Sequence, residues 1–445
     1  MNPALDSKRA SWGPDHVDVA IGTRERFAQM PDCQSSRIQV GAAGPTTHWG
    51  TPAAALLIAV LPFAPFAVSQ KDGPQPLIGG QPAVVLHRVR TGDGTKPEFL
   101  SATVLPGRAM NLFQITAWIP GRGEIPLINS PSLQDAAKIL GGPDDPYGTK
   151  NTSFGGAFLV PFANRIVGPI SNDSKTLAFT WEGHPMELDV NWKGKKAGAI
   201  PSAIHGLILA EKAEDVRVTA SGDKRTVNGV IHAGDFNGHW FSKNDITISI
   251  ELERDAVVAT VEARNVGEKP EPVGIGWHPY FNLPSGDRRQ VRLHLPGDMR
   301  AEVNNYDDVF PTGKLEPVNG TPYDFTADGG APLNSLSLDD NWSHLKKATD
   351  GSTCVEITDP AAGYGIRVGV LTPHVNTIQV YAPADKPFVA IEPQFNINDP
   401  FGAEWKGKDN GMVTLRPGQP VTWKVKTHPL PSIAQTICRL DLRLL

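Results

Sequence analysis

Cysteine is scarce: only Cys33, Cys354 and Cys438 occur in 445 residues. None belongs to a CxxC pair, and no His or Cys cluster has zinc-ligand spacing, which argues against a structural metal site. Three thiols allow a single intramolecular disulfide, and nothing marks one. An excess of positive charge is also missing. The formal net charge is -5, with Lys and Arg scattered along the chain, so nucleic acid is not an expected partner. There is no heptad run, no 20–50-residue repeat, no P-loop, no GxSxG elbow and no dinucleotide fingerprint. Long helical patterns are lacking too.

What the chain has in quantity is turn chemistry, with 44 glycines and 40 prolines. Prolines spread at this density suit many short strands and oppose long helices. From about Leu77 to Leu430 the pattern is β. Ile246, Ile248, Ile250 and Leu252 alternate with polar residues, and Val257, Ala259, Val261 and Ala263 follow after "RDA". The spacing predicts a hairpin over 246–264 with one buried face. "VTWKVKT" (421–427) repeats the pattern, with Val421, Trp423 and Val425 inward. One short helix is expected, with Ser130 as N-cap, Pro131 in its first turn and Gly141 as its stop. This distribution predicts an all-β fold, a large antiparallel sandwich or barrel, in one domain over 77–430.

The N-terminal residues differ. "PAAALLIAVLPFAPFAV" (52–68) is apolar and uncharged, is broken by Pro62 and Pro65, and is followed by a small-x-small pattern ending at Ser69. It is too short and proline-broken for a comfortable membrane span. We read 30–69 as an export leader, with Met30 as a better start and 1–29 as a disordered extension or upstream sequence. Export implies a periplasmic or secreted protein with no stable membrane span after leader removal. An uncleaved Ala/Pro-rich segment would leave it cytoplasmic. The tail 431–445 reads as an amphipathic helix or strand without an assigned role, and the oligomeric state is not legible.

Four stretches could carry chemistry. "VPFANRI" (160–166) contains Arg165, "AIHGL" (203–207) contains His205, "GIGWHPYFNLPSG" (274–286) contains His278, and "VAIEPQFNINDPFG" (389–402) contains Glu392. Singly, each has a structural reading: an arginine in an ion pair, a satisfied core histidine, a glutamate finishing a strand. Together, a His and a Glu at strand ends among bulky residues could form a proton-transfer pair tuned by burial. Arg165 and His205 would add donors for a neutral, hydroxyl-rich ligand, and Trp277, Tyr280 and Phe281 an apolar wall.

The ordered set "PFANRI", "HGL", "HPYFNL", "PTGKLEPVNGTPYDF", "LDDN", "QVYAP", "AIEPQ" and "LRPGQPVTWKV" resembles the aldose 1-epimerase (galactose mutarotase) family over roughly residues 80–428. The resemblance implies a β-supersandwich, no cofactor, and interconversion of the α and β anomers of a small-molecule sugar. It implies Glu392 as base and His278 as acid, with Arg165, His205 and Asp339 binding sugar hydroxyls. Asp339 is the better match than Asp340 in "LDDN", and Asn164 and Gln394 would support the site. Two departures stand out. Leu207 replaces a glycine common after "HG", which would reshape the wall beside His205, and the apolar approach "GGAFLVPFANRI" could signal another sugar or a larger ligand. A sugar-binding or sensing protein without turnover, and a hexose-phosphate epimerase of the same superfamily, are the alternative readings. The latter would need extra Lys or Arg around the pocket.

Overall fold

The computed structural model describes residues 75–140 and 144–431. The readings made for 1–29, for the leader 30–69, for Cys33, Cys438 and Gly141, and for nearly all of the tail 431–445 lie outside the described residues. Within them, the strands run from Leu77 to Pro431, with one α-helix, Leu133–Leu140, among short 3-10 turns.

Two large sheets dominate. The nine-stranded sheet contains the expected hairpin, Asn244–Leu252 paired antiparallel with Val257–Asn265 in a register that sets Ile248 opposite Val261. Strand Pro420–Pro431 lies at its centre, between Val257–Asn265 and Tyr364–Val370. The seven-stranded sheet runs in the order Pro311–Pro317, Gly297–Val303, Leu338–Leu345, Thr377–Ala382, Phe388–Gln394, Gly276–Asn282, Gly156–Leu159. Sequential neighbours are few, so this sheet is assembled from distant parts of the chain. A four-stranded sheet formed by Val84–His87, Glu98–Leu105, Asn111–Ile119 and Gly123–Pro126 completes the larger elements.

The core lies between the two large sheets, as alternating inward residues require. Trp423 of the nine-stranded sheet packs against Trp277 and Phe158 of the seven-stranded one, at centroid separations of 6.5 and 6.2 Å. Its indole N–H donates to the Pro393 carbonyl at 3.2 Å, which satisfies the buried polar atom.

Three expectations need correction here. The helix cap lies two residues later than expected, at Ser132. Ser132 Oγ accepts from the Asp135 N–H at 3.1 Å and donates to the Asp135 carboxylate at 2.8 Å, a reciprocal cap, whereas Ser130 Oγ accepts from Gln114. His278 and Glu392 are not at strand ends but inside strands 276–282 and 388–394. Trp277 and Phe281 are fully buried in the core, because alternation sends them to the face opposite His278 and Tyr280.

Candidate active site

The site sits on the face of the seven-stranded sheet that turns away from the Trp277–Trp423 core. Strand pairing brings its residues into rows. Gln379 is directly opposite Glu392, and Asp339 is directly opposite Tyr381. Gly276 pairs with Gln394 and Tyr280 with Ala390, so the same register places His278 opposite Glu392. Residues directly opposite in an antiparallel pair project to the same side. Gln379, Glu392 and His278 therefore form one row across three strands, and Asp339, Tyr381 and Tyr280 belong to the next.

Alternation also decides between the two aspartates of "LDDN". Asp340 has the parity of buried Leu338 and Trp342, and its carboxylate accepts from Arg300 Nη1 at 2.6 Å and from the Tyr306 hydroxyl at 3.0 Å. Asp339 has the other parity and lines the cavity.

Arg165 and His205 arrive from a two-stranded ladder, Arg165–Ile166 with Ala203–Ile204, in which Ile204 pairs with Arg165. Asn164 (φ 59°) and His205 (φ 64°) both adopt the left-handed region, which Asn and His enter more readily than most residues. Gly206 follows because a Cβ there would lie 2.4 Å from the Val160 carbonyl oxygen. The segment after Glu392 holds this loop in place. Asn396 accepts from the Ala163 N–H at 3.0 Å and donates to the Ala163 carbonyl at 2.9 Å, while the Asp399 carboxylate accepts from the Val167 N–H at 3.0 Å.

At the cavity floor His278 Nε2 lies 3.2 Å from Glu392 Oε1, and Gln394 donates to the other carboxylate oxygen at 2.9 Å. His205 packs edge-on against His278, with ring centroids 4.9 Å apart. A polar network lies beside the pair, with Gln379 directly opposite Glu392. Arg165 donates to Asn164 Oδ1 at 2.9 Å, Asn164 to Gln379 at 3.1 Å, and Gln379 to Asp339 at 2.7 Å. Arg165 Nη2 approaches the Asp339 carboxylate at 3.9 Å. Among the described residues, the Nδ1 atoms of His205 and His278 and Nε of Arg165 have no partner.

Burial governs the electrostatics, since a low-dielectric floor disfavours charge on any group. It lowers His278 to about 4, with the Arg165 charge adding to the effect. It raises Glu392 well above the usual carboxylate range, with Asp339 reinforcing and Arg165 opposing the shift. Asp339 is raised for the same reason, and His205 is pushed well down by burial, then by His278 and Arg165. Between these two shifted titrations the pair holds one proton, and either tautomer leaves it without net charge.

The cavity has a volume of about 540 Å³. His278, Glu392, Arg165, His205 and Asp339 all line it, so the structure brings together the five residues expected to transfer protons or bind hydroxyls; Asn164 lines it as well, and Gln394 does not. Tyr280 lines it too, whereas Trp277 and Phe281 do not. Leu207 is absent from the lining and packs against the core, as do Phe158, Val160 and Phe162 of the apolar approach to Arg165. Neither departure contributes a side chain to the cavity lining. Sequence reasoning missed Gln379, although "QVYAP" contained it, and missed the rim residues Trp192, Lys195 and Tyr306, which lie on loops without a motif.

Comparison with known proteins agrees with this geometry. A family model described as aldose 1-epimerase matches residues 128–428, starting later than the resemblance near residue 80 suggested. A galactose mutarotase-like protein from Clostridium acetobutylicum is 17% identical, with a TM-score of 0.60 over 78% of this chain and 98% of that one. An Escherichia coli K12 protein titled a putative aldose 1-epimerase is 18% identical, with a TM-score of 0.55 over 78% and 99%. A galactose 1-epimerase from Lactobacillus acidophilus is 16% identical, with a TM-score of 0.54 over 79% and 99%. At these identities the solved structures establish the fold, a galactose mutarotase-like β-sandwich. No curated protein matches the chain. The family match spans more than half of the sequence, and the chain belongs to the aldose 1-epimerase family.

Proposed function

We propose that the protein is a mutarotase that interconverts the anomers of a free aldohexose such as glucose or galactose, with His278 and Glu392 as the proton-transfer pair. The observation that carries this reading is the 3.2 Å contact between His278 Nε2 and Glu392 Oε1 at the floor of the cavity. Binding alone does not require a matched donor and acceptor.

Ring opening starts from the tautomer with the proton on His278. Glu392 takes the proton of the C1 hydroxyl, and the C1–O1 bond becomes a carbonyl. The C1–O5 bond breaks with its electron pair going to O5, which takes the proton of His278. The pair ends as a neutral glutamic acid and a neutral imidazole, the forms that burial favours, so the site is matched to the open-chain aldehyde. Rotation about C1–C2 and closure on the other carbonyl face run the proton flow backwards. Arg165, His205 and Asp339, with Gln379, would hold the sugar hydroxyls and keep O1 and O5 within reach of the pair.

Glu392→Gln keeps the shape of the side chain and removes its proton transfer. Anomer exchange followed by NMR or polarimetry should fall by about 10²–10⁴, the usual contribution of general acid–base catalysis. A loss below about tenfold would remove Glu392 from the base role.

A further inference from the structure

Arg165 belongs to a ladder only two residues long, and so short a pairing does not fix a side chain by itself. Its backbone groups alternate in direction, as in any strand. On one side the Asn164 carbonyl accepts from the His205 N–H at 2.8 Å, and Ile166 lies opposite Ala203. The Arg165 carbonyl and the Val167 N–H point to the other side. One residue meets both. The Asp399 N–H donates to the Arg165 carbonyl at 2.9 Å, and the Asp399 carboxyl accepts from the Val167 N–H at 3.0 Å. Asp399 thus stands where a third strand would.

Asp399 is itself held firmly. It is 2% exposed and adopts the left-handed region (φ 51°), which aspartate enters more readily than most residues. Its carbonyl accepts from the Gly402 N–H at 2.9 Å, and the Trp405 indole donates to the Asn398 carbonyl at 2.9 Å. This turn follows strand Phe388–Gln394, so the chain that carries Glu392 runs on into the clamp. Asp399 is not among the residues that line the cavity, whereas Arg165 is. The Arg165 guanidinium donates to Asn164 through Nη1, and its Nε has no partner among the described residues. It keeps donors for a ligand, and where they reach depends on where its backbone is pinned.

The chemistry of the clamp also follows from burial, which raises the Asp399 carboxyl to about 8, with the Val167 N–H opposing and the Glu404 side chain reinforcing the shift. At neutral pH Asp399 is therefore a neutral acid, with a carbonyl oxygen for Val167 and an O–H on the side of Glu404. Asparagine offers the same pattern, one oxygen and one N–H donor group, and tolerates the same backbone conformation.

We propose that Asp399 is a positioning residue: by pinning the backbone on both sides of Ile166 it sets the reach of Arg165, and hence the affinity for sugar, without touching the ligand. This rests on the mutarotase reading, in which Arg165 holds sugar hydroxyls. The test measures KM and kcat for glucose and galactose at neutral pH in the wild type, Asp399→Gly and Asp399→Asn. Asp399→Gly keeps the left-handed backbone and removes the carboxyl. Its KM should rise about tenfold with kcat within about threefold of wild type, the pattern for lost binding shared by ground and transition states. A role in stability alone would lower the folded fraction, and with it kcat, and leave KM in place. Asp399→Asn should return KM to within about twofold of wild type. An unchanged KM in Asp399→Gly, or a KM as high in Asp399→Asn, overturns the proposal. If Asp399→Gly does not fold, Asp399→Glu, which displaces the same acid by one methylene, replaces it with the same expected and overturning results. If the wild type turns over neither sugar, the mutarotase reading fails, and NMR titration with the same two sugars judges the clamp separately. Weaker binding in Asp399→Gly that Asp399→Asn restores then supports it, and equal binding, or none by the wild type, overturns it.

Discussion

His278 and Glu392 reverse the ordinary order of their ionisation because both are almost fully removed from water. A free imidazole is protonated more readily than a free carboxylate, but here burial pushes the histidine to about 4 and lifts the glutamate. The direction of each shift sets the pH dependence of turnover. Below about pH 4 His278 takes up a proton while Glu392 keeps its own, and no base remains. At high pH the pair loses its only proton, and no acid remains. A profile of kcat/KM against pH should therefore be flat through neutrality, with its acid limb near 4. An acid limb at 6 to 7, where an exposed histidine titrates, would contradict the sealed, one-proton pair.

Individual strands carry the site, and the short strand Glu271–Val273, paired with Val413–Leu415, carries another buried carboxylate with a separate consequence. Glu271, in strand Glu271–Val273, is wholly buried; Asn244 donates to one of its oxygens at 2.7 Å, and its other oxygen has no partner among the described residues. Burial raises it to about 8, against a partial lowering by Asn244. The folded state thus keeps a proton that the unfolded chain releases above the ordinary carboxyl range. Its contribution is fully present below about pH 4.5 and is lost as pH rises towards 8. Glu271→Gln, which can still accept from Asn244, should show a smaller fall in Tm between pH 5 and 8 than the wild type, by a few degrees. Equal slopes in the two proteins would mean that Glu271 ionises freely in the folded state.

For the molecule as a whole, the contact between the two large sheets backs the strands that carry the candidate site. Trp423 is fully buried and joins the sheets through Trp277, Phe158 and the carbonyl of Pro393, one residue from Glu392. Trp423→Ala should cost about 3–5 kcal/mol in chemical denaturation, the range for deleting a large buried aromatic. A loss below about 1 kcal/mol would show that the sheets hold together without it. The same molecule-wide packing takes up the side chains at both departures read from the sequence. Leu207, Phe158, Val160 and Phe162 pack in or against the core and are not among the residues that line the cavity.

Local periodicity determined much of this protein without reference to its fold. Alternation over 246–264 and 421–427 is a property of adjacent residues, and both segments are strands with the expected inward faces. The same rule separates Asp339 from Asp340 and His278 from Trp277 in the folded strands, whereas the sequence reading took Asp339 from the family resemblance and set Trp277 and Phe281 in the wall beside His278. The ordered motifs also placed the chain in its family. Tertiary structure alone decided the rest. The row Gln379, Glu392 and His278 depends on strands that are distant in sequence becoming neighbours in one register, which no local pattern encodes. The depth of the floor, and hence the direction of every ionisation shift in it, comes from packing around that row. The rim set by Trp192 and Tyr306 comes from loops held across the cavity by Asp307, a contact between segments over a hundred residues apart.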